Sequence, residues 1–296
     1  MITKQPLLNT IWLDISDINV INVTDGQSAD FDFSIIKDIN PRVGHRLEIK
    51  IPTVVLANSN VVLQIHYITS TKASAVTWLT PEQTAGKKLP YVYTQCQTIH
   101  WRSIAPLQDT SSIKATYSIY VISPKKIIVR ASGNITDEYV HQHKRHTKFS
   151  MSIPVQSYLM AIAGGNLVER RIVDRTYVIT EPELIDKAER TLADLEKALE
   201  IAEEYLTPYI WGVYKVLFLP PSFPYGGMEN PLLTFATSVM IIEDKSAFEI
   251  FVHELSHSWF GNLVTNKNMS DFWLNEGFTV FLERKIDSVL YGKEHR

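Results

Sequence analysis

The stretch His253-Glu254-Leu255-Ser256-His257, with Asn275-Glu276-Gly277 downstream, decides how the rest of the chain is read. On a helix, two histidines four apart project from one face, and each can offer a neutral imidazole nitrogen to the same metal. Glu254 stands about 100° around the helix from His253, beside such a metal without ligating it. Zinc takes about four ligands, and a hydrolytic site leaves one position to water. Two histidines are therefore one protein ligand short. Glu276 supplies it, after eighteen intervening residues, early in a second predicted helix. The connection over 261–269 is long enough for that helix to fold back on the first. Glu254, the carboxylate next to the ligand face, is then the base that activates water.

Working outward, the periodicity predicts zinc-bearing helices over about 246–261 and 270–291, with Gly261 and Gly292 at their C-terminal ends. Upstream, Leu184, Ala188, Leu192, Leu195, Leu199 and Ala202 recur at helical spacing, so 182–206 reads as one long amphipathic helix. Thr180-Glu181-Pro182-Glu183 offers a capping box at its start. A hydrophobic strand over 214–219 is closed by Pro220-Pro221, and the bend Pro224-Tyr225-Gly226-Gly227 leads into 232–242. Before residue 168 the texture differs. Short β-branched and aromatic segments at 11–15, 46–51, 61–69, 113–122, 126–132, 147–153 and 157–162 are separated by turn residues. Alternation over 114–121 is the half-buried strand pattern. The expected class is α+β, with an antiparallel β domain over 1–167 and a zinc domain over 168–296.

Composition narrows the function. With 45% apolar and 21% charged residues the chain is ordinary globular material. Its net charge of −3 gives no electrostatic reason to expect nucleic acid or an anionic membrane. Apolar runs such as 158–163 fall far short of the roughly 20 residues that span a bilayer. One cysteine, Cys96, forbids an internal disulfide and fits a reducing compartment. The first fourteen residues, interrupted by Gln5, Pro6, Asn9 and Asp14, do not look like a signal peptide, so a cytoplasmic protein is expected.

Three motifs in order, Pro224-Tyr225-Gly226-Gly227-Met228-Glu229-Asn230, then His253 to His257, then Trp273-Leu274-Asn275-Glu276-Gly277, resemble the M1 family of zinc aminopeptidases. More narrowly, Trp78 to Thr84, Gln95-Cys96-Gln97, Pro220 to Asn230 and Gly261-Asn262-Leu263-Val264-Thr265-Asn266-Lys267 look like its leukotriene A4 hydrolase and aminopeptidase B branch. The resemblance covers nearly the whole chain. It implies a saddle-like β domain followed by a thermolysin-like (gluzincin) catalytic domain holding one zinc ion. It also implies peptide substrates with a free N-terminus, whose α-amino group Glu229 would bind. Gln95, Cys96 and Gln97 would line the substrate site from the β domain, with Gln97 nearest the first residue. Pro224 to Met228 would border it, Gly226 and Gly227 admitting the substrate backbone closely. Set against the family, the chain is expected to be clipped at both ends, short of the segment carrying the oxyanion-stabilising tyrosine.

Several residues carry two readings. Glu283, two helical turns past Glu276, is either an acceptor for a ligating histidine or a solvated charge. Asp109 is either near the cleft or a turn-former. His141, His143 and His146 form a basic hairpin tip, or a second metal site. Trp259, Phe260, Phe272 and Trp273 are expected to pack the two zinc helices together. For the whole chain, a zinc aminopeptidase competes with a catalytically weak zinc-binding fragment or pseudoenzyme and with an epoxide hydrolase.

Overall fold

The computed structural model describes residues 7–292, apart from positions 28, 39, 41, 42 and 57. The first half is built of strands: β1 (Leu7–Ile15), β2 (Ile18–Thr24), β3 (Phe33–Lys37), β4 (His45–Leu56), β5 (Gln64–Thr69), β6 (Val76–Leu79) and β7 (Tyr91–Thr94). There follow β8 (Lys114–Pro124), β9 (Ile128–Ala131), β10 (Asn134–His141), β11 (Lys144–Gln156) and β12 (Ile162–Gly165). They pair only antiparallel, in sheets ordered β1-β4-β3, β2-β5, β6-β7-β12-β9 and β10-β11-β8. The alternation over 114–121 places Tyr117, Ile119 and Val121 on the less exposed side of β8. Ile11, Leu13 and Ile15 of β1 pack with Val20, Val23, Leu47 and Ile49 in a core of their own. Segment 157–162 is not a strand: a 3₁₀ turn over Ser157–Leu159 precedes β12, closed by Met160 N–H donating to Ser157 O.

The second half adds β13 (Val168–Arg171), β14 (Thr176–Thr180), β15 (Tyr214–Leu219), β16 (Gly227–Met228) and β17 (Thr234–Thr237), with α1 (Ile185–Thr191), α2 (Leu195–Tyr205), α3 (Phe248–Ser256) and α4 (Phe272–Leu290). Its mixed sheet runs β13-β14-β15-β17-β16, with β14, β15 and β17 parallel and the two-residue β16 at the edge. A continuous core joins Tyr91, Tyr93, Met151 and Tyr158 of the first half to Val216, Phe218, Phe251 and Leu255 of the second. The β6-to-β9 sheet is thereby fixed against the helical part, and the site lies where they meet.

The long helix expected over 182–206 is broken. A 3₁₀ turn (Pro182–Leu184) leads into α1, and the chain tightens over 192–194 before α2. Thr191 Oγ1 donates back to Lys187 O, a bond that bends helices. The break leaves both Leu192 and Leu195 fully buried. Nor does the capping box form: Thr180 is the last residue of β14, Glu181 accepts from the backbone of Ala85 and Gly86, and Glu183 pairs with Lys88. The helix expected over 246–261 ends at Ser256, whose hydroxyl donates to Val252 O. Gly261 turns the chain at φ +117°, and a Cβ there would stand 2.8 Å from the Asn275 amide. Gly292 follows α4 with positive φ, as a helix-ending glycine does.

Candidate active site

α3 exists because Phe248, Phe251, Val252 and Leu255 recur at three- and four-residue spacing and are buried, Phe251 edge-on to Phe218 of β15 at 5.6 Å. That packing turns His253 and Glu254 toward the cleft. α4 presents Asn275, Thr279, Leu282 and Ile286 inward. Glu276 and Glu283 then face α3.

His253 Nε2 and His257 Nε2 lie 3.1 Å apart, and Glu276 Oε2 lies 3.3 Å from the first and 3.6 Å from the second. Tetrahedral ligands at zinc bond lengths of about 2.0–2.1 Å sit about 3.3 Å from one another. The triangle therefore has the edge lengths of one face of a zinc tetrahedron. Two imidazoles and one carboxylate are also a donor set that hydrolytic zinc uses. The residues fit the metal.

The outer ring nitrogens have partners. His253 Nδ1 lies 2.8 Å from Glu283 Oε2, while His257 Nδ1 lies 2.9 Å from the Phe260 carbonyl and 3.0 Å from Thr279 Oγ1. Acceptors at both Nδ1 atoms favour the tautomers with protons there, leaving each Nε2 free to ligate. Burial alone would lower the proton affinity of His253. Hydrogen bonds to Glu276 and Glu283 and the nearby Glu254 charge outweigh it, and without a metal its pKa is pushed up to about 10. Glu276 shifts the opposite way: the two histidines overcome its partial burial and hold its carboxyl below the usual range.

A cavity of about 360 Å³ covers these groups, lined also by Gln97, Tyr225, Gly226, Gly227, Met228 and Glu229. Glu254 Oε2 and Glu229 Oε1 are buried without hydrogen-bond partners. Burial, then the charge of Glu229, raises the Glu254 pKa well above the carboxylate range. Among the described residues a second trio of ligand atoms, on Glu229, Glu254 and His257, also lies within 4.8 Å. It shares His257 with the first, and its two carboxylates are those left facing the cavity. Gly227, which lines the cavity, also has a task within the protein. A Cβ there would meet Glu254 Cγ at 2.5 Å, so the missing side chain makes room for that carboxylate.

Other expected residues divide. Gln95 donates through Nε2 to Met228 Sδ at 3.2 Å and, with Pro224, lines an adjoining cavity of about 210 Å³ that Gln97 and Tyr225 also border. Cys96 lines neither: it is buried with Ala75 and Trp101. Asp109 is neither at the cleft nor a turn-former. Its buried carboxylate holds the Arg102 guanidinium at 3.1 Å and accepts from Ser157 Oγ at 2.5 Å. The hairpin tip carries no metal cluster among the described residues; His146 stacks on Tyr139 and hydrogen-bonds Tyr120. Trp259 packs on Tyr209 and Phe260 stacks on Phe278, whereas Trp273 is 69% exposed and packs nothing together. Thr279 and Gln156, both near the site, carry no local sequence signal, and Asn262 lies inside the Gly261-to-Lys267 motif without any role being read for it there. No helix among the described residues is long and apolar enough to cross a membrane.

Comparison with known proteins gives a consistent answer. A model of the Peptidase M1 N-terminal domain matches residues 2–159, and one of the Peptidase family M1 domain matches residues 190–296. The chain is 44% identical to leukotriene A-4 hydrolase of Xenopus laevis over 99% of its own length and 48% of that protein's. It is 41% identical to leucine aminopeptidase 2 of Neosartorya fischeri, over 98% of this chain and 46% of the relative. The solved structure of yeast LTA4 hydrolase in complex with bestatin superposes with a TM-score of 0.88 at 38% identity, covering 96% of this chain and 44% of that one. The chain thus spans about half the length of the curated relatives it matches.

Proposed function

The chain belongs to peptidase family M1, and on that premise we propose that it is a zinc-dependent aminopeptidase removing the N-terminal residue of peptides. The observation that carries this reading is the convergence of His253 Nε2, His257 Nε2 and Glu276 Oε2 at 3.1–3.6 Å beneath a cavity walled by two buried carboxylates. His253, His257 and Glu276 hold one zinc ion. Zinc bound there supplies Lewis acidity toward the scissile carbonyl and lowers the pKa of water.

The remaining chemistry falls to this chain's own groups. Glu254, its proton affinity raised by burial, is suited to accept a proton from the attacking water and pass it to the departing amine. Glu229, buried and unpartnered at Oε1, binds the substrate's α-ammonium; a charged hydrogen bond offsets the cost of leaving that carboxylate buried. A chain lacking a free amine would leave it uncompensated, so the site selects N-termini. Gln97 contacts the first residue from the β-domain side, and Glu283 orients His253. We put the division between the β domain and the zinc domain at 167/168, a reading supported by β13 being the first strand of the mixed sheet. A cytoplasmic setting agrees with a single, buried Cys96.

The test is zinc content and hydrolysis of aminoacyl amides by the purified chain, with and without chelator. Chelator-sensitive release of the first residue is expected. Stoichiometric zinc without turnover overturns the reading for this chain.

A further inference from the structure

The segment Gly261 to Lys267 holds the amine-binding strand in place. β16 pairs with β17 only through Gly227 and Met228, so Glu229 lies just beyond the ladder and its backbone carbonyl has no partner strand. A buried carbonyl needs a donor. Asn262 provides it: Nδ2 donates to Glu229 O at 2.8 Å, with both residues buried. Asn262 is itself anchored on two sides. Its N–H donates to His257 O at 3.1 Å, tying it to the end of the zinc helix. From the β domain, Gln156 Nε2 donates to Gly261 O at 2.8 Å, and Lys114 Nζ donates to Asn262 O and Leu263 O at 3.1 and 2.9 Å. Three successive carbonyls of this turn are thus held by side chains of the β domain.

We propose that Asn262 is a positioning residue that sets Glu229 at the height of the substrate's α-ammonium, and that Gln156 transmits the placement of the β domain to it. The inference rests on Glu229 being the amine anchor. A charged hydrogen bond depends steeply on distance and angle, whereas zinc is held by α3 and α4. Loosening Asn262 therefore weakens recognition of the free amine and leaves the metal in place.

The experiment measures, for the zinc-loaded chain, the ratio of dissociation constants of an amino acid amide and its N-acetyl derivative. Variants are Asn262→Leu, which keeps the approximate shape and removes the donor without adding charge, Asn262→Ala, Gln156→Ala and, as reference, Glu229→Gln. A merely structural defect weakens both ligands alike and leaves the ratio unchanged. Glu229→Gln is expected to abolish the preference, and both Asn262 variants to cut it by about tenfold, the scale of one lost hydrogen bond, with zinc content unchanged. Gln156→Ala is expected to cut it by about threefold and decides the matter if the Asn262 variants do not fold. Full preference in folded, zinc-loaded variants overturns the positioning role alone. Full preference in Glu229→Gln overturns the amine-anchor reading and this inference with it.

Discussion

Glu254 is folded into the space that a side chain at Gly227 would fill: a Cβ on Gly227 would stand 2.5 Å from Glu254 Cγ. The edge strand and the zinc helix are fitted to each other at this point. Gly227→Ala is expected to push the carboxylate out of place while His253, His257 and Glu276 stay where α3 and α4 put them. Turnover should fall by roughly 10²-fold or more, as misplacing a reacting group does, with zinc content unchanged. Metal analysis beside a rate measurement checks this; wild-type turnover would show that Glu254 has room to spare.

Glu254→Gln separates the base from the ligands. The amide fills the same buried pocket but cannot accept the water's proton. A loss of about 10²–10⁴-fold in kcat is expected, with zinc retained. Loss of the metal in this variant would instead assign Glu254 to the ligand set with Glu229 and His257, the second trio of close donor atoms.

The zinc triangle was legible in the sequence because its logic is local. His253 and His257 are one helical turn apart, and Glu276 needs only a second helix folded back. Apart from Glu283, the contacts that support the site around it were not. Thr279 reaches His257 across 22 positions, Asn262 reaches Glu229 across 33, and Gln156 reaches Gly261 across 105, so no window of sequence contains both partners. Cys96 differs for a simpler reason: Gln95-Cys96-Gln97 lies where the chain leaves β7, and a three-residue motif does not say which of its side chains turns inward to pack with Ala75 and Trp101. The helix over 182–206 kept its hydrophobic period through the break at 192–194, since a tightened turn still presents Leu192 and Leu195 to one core.

Arg175 clamps the mixed sheet to α2, pairing with Glu196 at 3.0 Å and Glu203 at 2.8 Å. The hydrogen bond from Arg175 holds the Glu203 carboxyl below its usual range, and that bond outweighs the small opposing effect of burial. A carboxyl whose folded pKa is depressed contributes stability that is full above its unfolded pKa, about 4.3, and is lost as pH falls through the folded value. Glu203→Gln is therefore expected to lower the melting temperature at pH 7, by a deficit that shrinks as the pH falls below about 4. Melting curves across that window check the sign; an equal deficit at both ends would place the effect in packing.

Glu283 acts on metal binding at His253 in two opposite senses. Without metal, the proton on His253 is stabilised by Glu276 and Glu283 strongly enough to raise its pKa to about 10, despite burial. Zinc must displace that proton from Nε2, so affinity in the wild type is expected to rise with pH across the neutral range, about tenfold per unit for this one proton. Glu283→Gln removes the charge 2.8 Å from Nδ1. The imidazole becomes a poorer and less well-oriented ligand, which weakens zinc by about 10–100-fold, but it also gives up its proton more readily. The variant's affinity should therefore stop rising at a lower pH than the wild type's. Zinc competition titrations at pH 6, 7, 8 and 9 read both effects, and a uniform loss with an unchanged slope would mean that Glu283 orients the ring without governing its proton.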